Sequence, residues 1–179
     1  MAGRSSGKLQ VTLPSDKEIL LSRVFDAPRH LVFEAMTRPE YVRRWWCCMD
    51  GFTMPICEID LRVGGKYRYV MLGPGGNEVG FHGEYREIVV PSRVVHTEIF
   101  EPYPDSPALV TMTLEERDGK THYQTLVVHQ TREARDMHIA SGMEKGANVA
   151  LDRLEEIARS LRVASQESAS SSAQVPAAT

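Results

Sequence analysis

Among the 179 residues, few side chains have the type and spacing that covalent chemistry needs. Cys47 and Cys48 are adjacent and Cys57 lies further on. They form no CxxC pair, and no histidine pair follows at zinc spacing, so buried free thiols are expected and no metal site. Because this segment ends a helix near the expected mouth of a cavity, Cys47 or Cys48 stays in view as a reactive thiol. The six histidines, His30, His82, His96, His122, His129 and His138, are scattered singly. No HExxH, GxSxG, P-loop or GxGxxG pattern is present. Gly73-Pro74-Gly75-Gly76 lacks the Lys-Ser/Thr that would hold a phosphate and reads as a hairpin turn. Asp60 and Arg62, two apart on one strand, read as an ion pair at the Gly64-Gly65 turn.

His96 and Glu98 have the most chemical reach, because they share one face of a strand. Facing inward, Glu98 would lose its water and its carboxyl would titrate higher, which suits a general base or a hydrogen-bonding hook. Facing outward, the pair is merely solvated. Alternation leaves the two cases open, since Val95, Thr97 and Ile99 make an equally mixed opposite face. No catalytic residue can be assigned on this basis.

The elements that position these groups are clearer. Glu18 to Phe25 alternates with period two and reads as a strand. Asp26-Ala27-Pro28 then opens a helix, Asp as N-cap and Pro in the first turn, with Leu31, Val32, Ala35 and Met36 on its buried side. Pro39 starts a second short helix, Glu40 to Trp46. Six strands follow: Phe52–Asp60, Lys66–Leu72, Glu78–Val90, Arg93–Phe100, Ala108–Glu116 and Thr121–His129. Their short Gly- and Pro-rich connections require antiparallel neighbours. Thr131 caps a long helix from about Arg132 to Leu161, with Ala140, Met143, Ala147, Ala150, Leu151, Leu154, Ile157, Ala158 and Leu161 on one stripe. Arg153, Glu155, Glu156 and Arg159 are expected on its other, solvated side. The predicted architecture is α+β: a curved antiparallel seven-stranded sheet wrapped around the C-terminal helix. Residues 1–11 and the Ser/Ala-rich tail 163–179 are expected to be disordered, leaving one domain over 12–162.

Small residues on the last helix (Gly142, Gly146, Ala147, Ala150) predict a hollow between helix and sheet. Tyr67, Tyr69 and Met71, then Val110, Met112 and Leu114, then Tyr123, Thr125 and Val127 share strand faces that would wall it. Phe33, Trp45, Trp46 and Met54 would close one end. Apolar walls with a few polar tips describe a small-molecule pocket. Its candidate ligand-binding set is Phe33, Trp45, Trp46, Met54, Tyr67, Tyr69, Met71, His96, Glu98, Met112, Tyr123, Met143 and Ala147.

Composition narrows the classes. With 42% apolar residues, 21 basic and 24 acidic side chains and a formal charge of −3, the chain lacks the basic excess of a nucleic-acid binder. No run approaches the ~20 apolar residues that span a bilayer. Met1 to Gln10 is polar, unlike a secretory leader, and three cysteines suit a reducing compartment, so a cytoplasmic location is expected.

The element order and a series of motifs resemble the START-like superfamily, also called SRPBCC or helix-grip proteins. Within it the chain is similar to the subgroup of the C-terminal domain of the activator of heat-shock-protein-90 ATPase. The residues that carry the likeness are Phe25-Asp26-Ala27-Pro28, Val32-Phe33-Glu34-Ala35, Pro39-Glu40, Trp45-Trp46, Asp60 through Arg68, Gly83 through Val89, Pro91-Ser92-Arg93 and Leu151-Asp152-Arg153-Leu154. Where the subgroup usually has Gly-Trp in the last helix, this chain has Gly146-Ala147, which implies a larger cavity or an altered mouth. The resemblance implies a hydrophobic cavity and a binding role without a fixed chemistry. Binding of a small hydrophobic or aromatic molecule, with no cofactor, is the leading expectation. A cyclase, dehydratase or hydrolase using a cavity acid/base is the alternative, and regulation of a heat-shock ATPase through the surface ranks third. Self-association through edge strands or the aromatic helix pair is left open.

Overall fold

The computed structural model describes residues 7–47 and 49–172. Its elements in chain order are β1 (Gln10–Thr12), β2 (Glu18–Phe25), α1 (Arg29–Thr37), α2 (Pro39–Trp45), β3 (Thr53–Ile59) and β4 (Lys66–Leu72). There follow β5 (Glu78–Val89), β6 (Arg93–Phe100), β7 (Ala108–Arg117), β8 (Lys120–Val128), α3 (Arg132–Ala140) and α4 (Met143–Ser172). The strands form one antiparallel sheet in the order β1-β2-β8-β7-β6-β5-β4-β3. The eighth strand is β1, from the segment expected to be disordered: Val11 lies opposite Leu21, and Leu9 is buried. Residues 1–6, for which disorder was also expected, lie outside the described residues.

Register shows which side faces the core. Ile19, Val127, Val110, His96 and Tyr85 stand opposite one another in turn across β2, β8, β7, β6 and β5. Directly opposed residues share a face, so Ile19, Val127 and Val110, all buried, place His96 on the inner side. The next inner row, Leu21, Thr125, Met112 and Val94, runs parallel to it.

The last helix differs from expectation at both ends. Gly142, with φ of 82°, interrupts it and separates α3 from α4; a side chain is disfavoured in that left-handed conformation, so the periodic stripe conceals a break. Thr131 does cap α3, its hydroxyl accepting from the Ala134 N–H at 3.1 Å. The helix continues to Ser172, into the segment expected to be disordered, with Ser165, Ser168, Ser170 and Ser172 donating to carbonyls one turn back. Every residue of that extension, 163–172, is exposed; residues 173–179 lie outside the described residues. At α1 the N-cap is Pro28 without a side-chain bond. Asp26 binds Arg159 at 2.9 Å instead of capping.

Glu155 corrects another expectation, since it is buried and not solvated. Arg23 points inward from β2 and donates to Glu155 at 2.7 Å, and it pairs with Asp152 at 2.7 Å. The other Glu155 oxygen accepts the Asp26 N–H at 2.9 Å. This network ties α4 to β2 beside the apolar stripe Ala150, Leu151, Leu154, Ile157 and Ala158. Each large side chain fully buried there contributes roughly 1.5–3 kcal/mol.

Candidate functional site

A cavity of about 80 Å³ opens between the inner face of the sheet and the α1–α2 pair. It is lined by Met36 and Thr37 at the end of α1, by Trp45 and Trp46, and by Tyr67 and Tyr69 of β4. Tyr85 of β5, Val94, His96 and Glu98 of β6, and Met112 of β7 complete it. The rings form one connected set. Trp46 lies 5.5 Å from Trp45 and 5.2 Å from Tyr69; Tyr67 lies 5.0 Å from Tyr69, 5.6 Å from Tyr85 and 5.3 Å from the His96 ring. Such tilted and edge-on pairs hold the rings in place and leave parts of their faces available.

Local structure fixes each wall. The Trp45 indole N–H donates to the Ala35 carbonyl at 2.9 Å, joining α2 to α1, and Arg153 reaches the Cys47 carbonyl at 2.9 Å from α4. The Tyr67 hydroxyl donates to the Thr97 carbonyl at 2.9 Å. That approach requires Gly83, where any Cβ would collide with the Thr97 carbonyl and press on the Tyr67 ring. Ala108 stands opposite Glu98, so a small side chain flanks the carboxyl.

His96 and Glu98 therefore face the cavity. Burial pushes the His96 imidazole down to about 4 and the Glu98 carboxyl up to about 7. Nδ1 of His96 is sealed with no partner among the described residues. The Glu98 carboxyl likewise has no hydrogen-bond or ion-pair partner among them, and burial alone accounts for its shift. Burial also raises Tyr67 and Tyr69 far above the usual phenol range, and Tyr85 to about 12. At neutral pH the site thus holds neutral phenols, a neutral imidazole and a carboxyl near its midpoint. Such a carboxyl can accept or donate a hydrogen bond, and can exchange a proton.

Of the thirteen candidate ligand-binding residues, the cavity brings together Trp45, Trp46, Tyr67, Tyr69, His96, Glu98 and Met112. Phe33, Met54, Met71 and Tyr123 are sealed in the core, while Met143 and Ala147 pack against it part-buried. The hollow is displaced from where the small helix residues put it, for α4 supplies no lining residue. Gly142 is the helix break, Ala150 is buried, and a Cβ at Gly146 would meet nothing within 4 Å. Met36, Thr37, Tyr85 and Val94 are additional lining residues. Tyr85 was accessible to reasoning as the cross-strand neighbour of His96, once the inner face was known.

The remaining described motifs lie outside the cavity lining. Asp60 and Arg62 form an exposed ion pair at 2.8 Å. Cys47 and Cys57 are buried free thiols, and burial pushes Cys57 up to about 11, away from thiolate reactivity. Cys48 lies outside the described residues. Among the described residues, no three His, Cys, Asp or Glu side chains gather as a metal site, and no helix is long and apolar enough to cross a membrane. A broader trough of about 300 Å³ is lined by Glu58, Lys66, Tyr67, Arg68, His82 and Gly83. Two of its polar groups, Arg68 and His82, are already engaged with Glu101 at 2.8 and 3.1 Å.

A curved antiparallel sheet holding a long C-terminal helix, with an aromatic-lined cavity beneath a helix pair, defines the helix-grip class of START-like proteins. Residues 26–159 match the family described as Activator of Hsp90 ATPase homolog 1-like protein, and the chain belongs to that family. Solved structures agree. A protein from Rhodobacter sphaeroides is 28% identical with a TM-score of 0.80, the match covering 86% of this chain and 99% of that one. One from Nitrosomonas europaea is 24% identical at a TM-score of 0.74, covering 84% and 99%. An AHSA1-like protein from Aeromonas hydrophila, at 17% identity and 0.60, covers 79% and 93% and shares the fold. No curated protein matches the chain.

Proposed function

We propose that this protein binds a small, largely apolar molecule in the cavity between the sheet and the α1–α2 pair. The observation that carries the reading is a hollow walled by five aromatic side chains, with one carboxyl inside it that has no partner among the described residues. Buried apolar contact would supply affinity, and Glu98, His96 and the tyrosine hydroxyls would set orientation. At about 80 Å³ the hollow is smaller than the roughly 150 Å³ cavity known to accept benzene, which favours a compact group over a polycyclic one.

The chain's two tryptophans both line this cavity, so their emission reports directly on its contents. Titration with neutral probes, from butanol to benzene-sized aromatics, is expected to give a saturable change in tryptophan emission with a rise in Tm. A flat response across the whole panel would remove the binding reading.

A second reading, an enzyme using Glu98 as acid/base, is favoured by one observation: a carboxyl held at about 7 in a largely apolar site. It predicts that Glu98→Gln loses turnover on a substrate that tryptophan emission shows to be bound at saturation. Undiminished turnover in that variant would exclude Glu98 as the proton-transfer group.

A further inference from the structure

Charge inside the cavity is one-sided. Among the described residues, Glu98 is the sole carboxyl in the lining, and no lysine or arginine accompanies it. The titratable groups around it are His96 on β6, Tyr67 and Tyr69 on β4, Tyr85 on β5 and Tyr123 on β8, and burial holds each of them in its neutral form at neutral pH. The contributions of α1, α2 and β7 are Met36, Thr37, Trp45, Trp46 and Met112, none of which carries charge, and α4 adds no lining residue. No described residue of the cavity therefore offsets the negative charge of ionised Glu98.

The rings act in the same direction. Trp46, Tyr67, Tyr69 and Tyr85 surround the space, and an aromatic face carries the negative part of its quadrupole. Ring faces attract cations and do nothing for an anion; the attraction grows as water is excluded. A fatty acid or other carboxylate would meet a like charge here and find no base. A positive head would find both a counter-ion and an aromatic enclosure. A part-buried carboxylate without a counter-ion is costly, and a cationic guest relieves that cost.

We propose that the cavity selects ligands with a protonated amine head, seated among Trp46, Tyr67, Tyr69 and Tyr85 with Glu98 as its counter-ion. This rests on the binding reading above and supplies its ligand class. The volume fits the head group alone, so the rest of the ligand would leave past Met36, Thr37 and Trp46, which are only part-buried.

Three probes of one chain length test this: butylammonium, butanol and butyrate, each titrated by tryptophan emission and calorimetry. In the wild-type protein near pH 8, butylammonium is expected to bind about tenfold or more tightly than butanol, and butyrate weakest. Near pH 6 the preference should shrink to a few-fold, because Glu98 then carries a proton. In Glu98→Gln, butylammonium and butanol should bind alike. If the variant does not fold, the wild-type pH series decides alone. Butanol binding without any preference for the cation would overturn the amine assignment and leave the cavity reading intact; a preference that neither falls with pH nor is lost in Glu98→Gln would overturn Glu98 as its counter-ion. If none of the three probes binds while the neutral panel does, the amine assignment falls alone; if the panel is flat as well, both fall together.

Discussion

At the scale of single residues, the outcome turns on which way alternate side chains of β6 point. His96 and Glu98 face inward, and burial moves them in opposite senses: the imidazole from 6.5 to about 4, the carboxyl from 4.5 to about 7. The unfolded chain binds the His96 proton more readily than the folded one does. The stability linked to His96 is therefore complete above about 6.5 and lost as pH falls toward 4. Glu98 acts with the contrary sign: its share is complete below 4.5 and lost as pH rises through about 7. The two slopes oppose each other where the windows overlap. Glu98→Gln removes only the second. Relative to wild type, the variant should gain stability as pH rises from 4.5 to about 7, by up to about 3 kcal/mol. Urea melts of both proteins across that range check this. A constant difference between them would mean that Glu98 titrates as an ordinary solvated carboxylate.

Among the elements, the strands and the first two helices were legible because period-two alternation and Gly/Pro punctuation are local signals. What escaped was set by partners distant in sequence. Leu151, Leu154, Glu155 and Ala158 follow helical spacing, so Glu155 occupies the buried stripe, although its charge argued for solvent. The meeting with Arg23, 132 positions earlier, together with the Asp26 N–H and Arg159, makes that placement tolerable. Glu155→Ala leaves the buried Arg23 guanidinium with the exposed Asp152 and takes the acceptor from the Asp26 N–H, so it should cost about 3 kcal/mol in chemical denaturation. A loss under about 1 kcal/mol would show the network to be no stronger than an exposed ion pair. The split between α3 and α4 escaped for another reason: the apolar stripe continues across Gly142, and only the backbone angle reveals the turn. Likewise β1 is too short to show alternation, and it exists through its pairing with β2.

For the whole molecule, burial ends before α4 does. Leu161 and Arg162 are the last part-buried ones among the described residues, and the remainder of α4 is exposed throughout. Truncation after Arg162 is therefore expected to leave stability within about 0.5 kcal/mol of the full chain, measured by thermal and urea melts. A larger loss would mean that the helical extension makes contacts of its own. Sequence alone determined the fold class, the order of the elements from β2 to β8 and the aromatic and acidic residues available to a cavity, because hydrophobic period and turn chemistry act over a few residues. Tertiary structure decided which strand face looks inward, and it put the hollow beside Trp46 and Glu98 and away from Gly146 and Ala147. The physical reason is that a void is a property of packing. It depends on how neighbouring strands register and where α1, α2 and α4 come to rest, which no local pattern of residues encodes.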